Sequence, residues 1–283
     1  MMHKLAVLTA ATATALAVVF TSSAVGQEQA AAIPPGEEQA KAVLEKSPRH
    51  AEYVMIPVEG ATQKVRAWVV YPEKAQKAPV VLVIHEIFGL TDWIRSVADQ
   101  LAADGFIAVA PDFLTGKGPG GGHSDAITSR DDAVKLVQSL TPEEVEARLN
   151  AARTYALGLP AAAPKSAVIG FCWGGARSFL YASSQKELNA AVVYYGTSPE
   201  SARLATVAAP VLGLYGADDA RVNATIEPAA AEMSKLGKSY EKEIYEGAGH
   251  GFLRAQSGRE GANLKAAQQA WPRMLAFLRK HLE

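Results

Sequence analysis

The sequence predicts an α/β fold, a mostly parallel central sheet with helices on both faces. Short β-branched runs alternate with longer helical ones through most of the chain. Several of the runs are continuously apolar, as strands covered on both faces are. The chain has 283 residues, 49% hydrophobic and 20% charged, enough to bury one large core.

Residues 1–26 have the layout of a secretory signal peptide, cleaved in the mature protein. A short basic start is followed by an apolar run over 5–20 and a small-residue stretch ending at Gly26. The apolar run is shorter than the roughly 20 residues of a spanning helix. An exported chain, periplasmic or secreted and without stable membrane association after cleavage, is therefore expected. Residues 27–50 are rich in Ala, Gln, Glu and Pro, and read as an N-terminal arm, mobile or forming a short helix, with no chemistry assigned. Residues 51–283 form the single folded domain.

Within that domain, 53–58 and 65–71 read as antiparallel strands joined around Gly60. The run 79–85 is a fully buried strand, 92–103 an amphipathic helix and 105–110 the next buried strand. Helical patterns cover 130–140 and 142–158. Strands at 166–171, 190–195, 210–215 and 240–245 then alternate with helices at 174–184 and 223–236, and 263–281 is a closing helix. Gly116 to Gly122 lacks the Gly-Lys-Ser/Thr ending of a phosphate loop and reads as a flexible surface loop. The formal net charge of -1 gives no global field for nucleic acid or an anionic membrane.

The chemistry centres on Cys172, the single cysteine, which excludes an intramolecular disulfide. It lies in Gly170-Phe171-Cys172-Trp173-Gly174, between a buried strand and a helix. Glycines two before and two after are the spacing of a nucleophile elbow, where strand and helix approach too closely for side chains. The helix N-terminus favours thiolate, and its amides can hold an oxyanion; the Trp173 amide is the expected first donor. A nucleophile of this kind needs a base oriented by an acid. Asp218-Asp219 follow one buried strand and His250 follows the last, the order this architecture uses. Asp219 is preferred to Asp218, because the usual acid lies three residues past the turn glycine, Gly216. The other histidines, His3, His50, His85, His123 and His281, lack a comparable position. The acids and histidines are not grouped at ligand spacings, so no metal is expected, and no cofactor is called for.

These motifs, with His85-Glu86-Ile87-Phe88-Gly89, Ala110-Pro111-Asp112-Phe113 and Gly249-His250-Gly251-Phe252, resemble the dienelactone hydrolase family (carboxymethylenebutenolidases) of the α/β-hydrolase fold. The resemblance runs from about Tyr53 to the C-terminal helix, and cysteine at the elbow is its discriminating feature. It implies that Glu86 pairs with the resting cysteine and takes its proton when substrate binds. It also implies that the Ile87 amide is the second oxyanion donor and that Arg130 and Arg254 hold a substrate carboxylate. The expected activity is hydrolysis of small carboxylate-bearing lactones or esters through a thioester, by a monomer. The competing readings are a general carboxylesterase and a non-catalytic exported protein that captures carboxylates.

Overall fold

The computed structural model describes Met1 and residues 32–283; the expected signal peptide lies outside the described residues. Residues 31–283 form one unit around an eight-stranded sheet of order β1-β2-β4-β3-β5-β6-β7-β8. The strands are β1 (Ala51–Ile56), β2 (Val65–Val70), β3 (Ala78–Ile84), β4 (Ile107–Pro111), β5 (Ala162–Phe171), β6 (Ala190–Tyr194), β7 (Val211–Asp218) and β8 (Tyr240–Gly249). β1 and β2 pair antiparallel, and β2 lies antiparallel to β4; from β4 through β8 every pairing is parallel. The C-terminal ends of β3, β5, β6, β7 and β8 therefore open on one edge.

Parallel strands buried on both faces must be apolar at every position, and β3 is buried along its whole length. Its alternate residues serve opposite faces. Val80, Leu82 and Ile84 join one core with Leu149, Phe179 and Met233. Val81 and Val83 join the other, with Trp93, Trp271 and Phe277. Helices α1 (Glu37–Leu44), α2 (Asp92–Ala103), α3 (Arg130–Gln138), α4 (Pro142–Leu157), α5 (Trp173–Ser184), α6 (Ser201–Leu204), α7 (Ala220–Asn223), α8 (Ile226–Lys235) and α9 (Ala262–Leu282) connect or flank the strands. Capping sets several of their starts. Thr141 Oγ1 accepts from the Glu144 amide at 3.2 Å with Pro142 in the first helical position, and Ser129 Oγ accepts from the Asp132 amide at 3.2 Å. No helix among the described residues is long and apolar enough to cross a membrane.

The structure departs from the sequence reading at β5 and β8, each four residues longer than expected, and in the unexpected short helices α6 and α7. The helix expected over 223–236 is α8, starting at Ile226, and it is preceded by the short α7; between them Thr225 turns its hydroxyl back to the Val222 carbonyl and accepts from the Ser198 amide. The segment before β1 takes the short-helix form of the two the sequence reading left open, as α1, and is docked as a strap. The Pro35 carbonyl accepts from Trp93 Nε1 at 3.1 Å, the Pro34 carbonyl accepts from Gln256 Nε2 at 2.8 Å, and Ala40 is fully buried. The glycine segment after β4 closes on itself, with Gly116 and Gly118 amides donating to the Gly122 carbonyl.

Candidate active site

The elbow is built where β5 meets α5. A Cβ on Gly170 would lie 1.9 Å from the Gly174 carbonyl oxygen, and one on Gly174 would lie 2.4 Å from the carbonyl oxygens of Ile84 and His85. Backbone fills both places, so only glycine fits. The sharpness of the turn is borne by Cys172, whose φ of 56° and ψ of -114° lie in a region that costs a side-chain-bearing residue about 1–3 kcal/mol. The result places the sulfur at the N-terminus of α5. The Trp173 amide, directed at the sulfur, lowers the thiol's proton affinity, but burial and the charge of Glu86 raise it further, to about 11. The resting group is a thiol.

β7 and β8 bring the next two residues together. His250 Nδ1 lies 2.5 Å from Asp219 Oδ2, and the Asp219 side chain is 8% exposed. Asn223 steadies this turn by donating to the carbonyls of Gly216 and Ala217 at 3.0 and 2.9 Å. Behind His250, Asn263 Oδ1 accepts from the Gly249 amide at 3.0 Å. Asp218 points elsewhere, to Arg259 at the surface.

Glu86 follows β3 and is buried, its carboxyl pushed up to about 7 by desolvation despite the opposing pull of Arg254. It does not hydrogen-bond Cys172 as expected. Its Oε2 accepts from Arg254 Nε at 2.6 Å, because a buried carboxylate takes the strongest donor in reach, and it acts on the sulfur through its charge. Ile87 is half-buried against the core. The neighbouring His85 has a structural place. Its Nδ1 lies 2.7 Å from the Glu86 carbonyl and its Nε2 3.3 Å from the Phe113 amide, tying β3 to β4. A neutral ring that donates from Nδ1 and accepts at Nε2 satisfies both contacts, in keeping with a pKa lowered by burial.

Arg130 and Arg254 come together over Phe88, their guanidinium carbons 4.6 and 5.4 Å from the ring centre. Both are already paired with Glu37 of α1, a residue to which the sequence reading gave no chemistry. Arg254 Nη1 donates to Glu37 Oε2 at 2.7 Å, and Arg130 Nη2 donates to Oε1. Tyr195 was also missed. It follows β6 with a φ of 40°, its ring packs edge-on against His250 at 5.2 Å, and its buried hydroxyl has no partner among the described residues. Its place at the C-terminal end of the strand expected over 190–195, the neighbour of the strand that carries the elbow, was the available signal.

A cysteine in a tight strand-to-helix turn after β5, with an acid after β7 and a histidine after β8 of such a parallel sheet, has the layout of an α/β-hydrolase. The dienelactone hydrolase family matches residues 65–282, and this chain belongs to that family of hydrolases. A carboxymethylenebutenolidase of Pseudomonas putida is 34% identical over 210 residues, spanning 73% of this chain and 87% of that protein. A Salmonella typhimurium protein provisionally given the same name is 32% identical over 238 residues, 80% of this chain and 86% of its own. A crystal structure of a candidate dienelactone hydrolase from Klebsiella pneumoniae superposes with a TM-score of 0.70 at 30% identity, covering 81% of this chain and 97% of that one.

Proposed function

We propose that this protein hydrolyses small esters and lactones through a Cys172–His250–Asp219 triad and a thioester acyl-enzyme. The observation that carries the reading is the 2.5 Å contact between His250 and Asp219 on the sheet edge that holds a strained Cys172 at a helix N-terminus. Asp219 accepting from Nδ1–H leaves Nε2 as the base, the tautomer acyl transfer requires. A thiol with a pKa near 11 must be deprotonated as it reacts, and Glu86 or His250 accepts that proton. The sulfur bonds to the carbonyl carbon, and the Trp173 and Ile87 amides hold the oxyanion. Collapse breaks the ester C–O bond, and the leaving oxygen takes the thiol's proton from whichever of His250 and Glu86 received it. Water then adds to the thioester, giving a proton to Nε2; the C–S bond breaks, Nε2 returns that proton to the sulfur, and the acid departs. A thiolate nucleophile with a weak base favours substrates with good leaving groups, enols above alkoxides.

Arg130 and Arg254, over Phe88, have the geometry to hold a substrate carboxylate only in place of that of Glu37, which both of them bind. We place the enzyme outside the cytoplasm on the signal-peptide character of residues 1–26. The purified mature chain should open dienelactones or cleave aryl esters, and a substrate pulse quenched in acid should leave an acyl adduct on the Cys172 peptide by mass spectrometry. Full turnover by Cys172→Ala would sink the mechanism. Binding of carboxylates without cleavage of any ester would favour the capture protein instead.

A further inference from the structure

The two-arginine recess holds a carboxylate of the protein's own. One oxygen of Glu37 faces Arg254 and the other faces Arg130, above the Phe88 ring. This is the arrangement a bound substrate carboxylate would adopt. Glu37 is not loosely placed there. Its amide donates to the Arg254 carbonyl at 2.9 Å, and the strap before it is hydrogen-bonded to Trp93 and Gln256. The charge of the recess is also complete, since Arg130 and Arg254 face Glu37 and Glu86. A second carboxylate would bring a surplus negative charge beside a buried one, or must dislodge Glu37 from a fixed helix start.

We infer that Glu37 is a specificity-determining residue, which fills the arginine recess and fits the site to uncharged esters and lactones over carboxylate-bearing ones. The inference rests on the hydrolase reading for its kinetic test and on the recess alone for its binding test. Charge-assisted contacts of this kind, partly exposed through Arg130 at 61%, correspond to a discrimination of about tenfold.

The experiment compares 4-nitrophenyl butyrate with 4-nitrophenyl hemisuccinate, substrates of similar length that differ in a terminal carboxylate. The native chain should prefer butyrate in kcat/KM. In Glu37→Gln the ratio of hemisuccinate to butyrate should rise about tenfold, through KM for hemisuccinate, and the gain should shrink at high salt. Glu38→Gln on the same helix, whose carboxylate among the described residues accepts from Ser257 and from neither arginine, should leave the ratio where it is. A ratio unchanged within twofold in Glu37→Gln overturns the inference. If neither ester is cleaved, the hydrolase reading fails and calorimetry with succinate decides: Glu37→Gln should bind it more tightly than the native chain by about tenfold, and equal binding overturns the inference.

Discussion

Glu86→Gln separates two forces that oppose each other on one carboxyl. Burial at the end of β3 raises its pKa from the ordinary 4.5 to about 7, while Arg254 at 2.6 Å pulls it down. If burial is the larger, the rise corresponds to about 3 kcal/mol at ~1.36 kcal/mol per pH unit. The sign follows from proton binding. Between about pH 4.5 and 7 the folded chain keeps a proton that the unfolded chain has lost, so this group's contribution to stability falls as pH rises, by at most about 3 kcal/mol. Glutamine has no proton to lose, so other titrations cancel in the difference between the two proteins. At about 2–4 °C per kcal/mol for a domain of this size, Glu86→Gln should gain about 6–12 °C in Tm relative to the native chain between about pH 4.5 and 8. Differential scanning calorimetry of both proteins across that range measures it. A constant gap, or a native chain that gains on the variant as pH rises, would mean that the Arg254 pair prevails and Glu86 is ionised throughout.

Asp219→Asn should lower kcat by about 10³-fold or more by releasing the His250 tautomer, while Asp218→Asn, losing only a surface pair with Arg259, should change it less than about twofold in steady-state assays. Gly170→Ala should cost about 3 kcal/mol or more, since its methyl meets the Gly174 backbone oxygen at 1.9 Å; a Tm within about 2 °C of the native value would refute the close approach. Alkylation of Cys172 by iodoacetamide should climb steadily from neutral pH towards about pH 11 without a plateau, and the profile should move to lower pH in Glu86→Gln as a like charge is removed.

What could be read from the sequence followed from local rules. Continuous apolar runs marked β3, β4 and β5 because a doubly covered strand has no solvent side. The pair of glycines around Cys172 was legible because sterics admit no other residue at Gly170 and Gly174. Glu37 was illegible, because its partners lie 93 and 217 residues away and nothing in an Ala-, Gln- and Glu-rich segment marks which acid will meet two arginines. The partner of Glu86 was misread for a related reason. The family resemblance put the carboxyl near Cys172, but the choice between a thiol and a guanidinium depended on where the loop after β8 carries Arg254. The helix expected over 223–236 starts only at Ile226, after the Thr225 hydroxyl has bonded the Val222 carbonyl, a competition that hydrophobic periodicity does not register.

The electrostatics around Cys172 restrict how a thiolate can arise. With a proton affinity near 11, only on the order of one sulfur in 10⁴ is ionised at neutral pH, so the helix N-terminus and the Trp173 amide do not suffice by themselves. Glu86 opposes ionisation only while it is charged. In the proposed mechanism, a proton passing from Cys172 to Glu86 removes the like charge that made the thiolate unfavourable, so the transfer relieves its own penalty. A carboxyl poised near 7 is matched to that task in a way a solvated glutamate is not. Arg254 sets the balance by stabilising the charged form of Glu86, and its other edge is held by Glu37. A change at Glu37 on the strap is therefore coupled to the nucleophile through one guanidinium, without any contact between Glu37 and the sulfur.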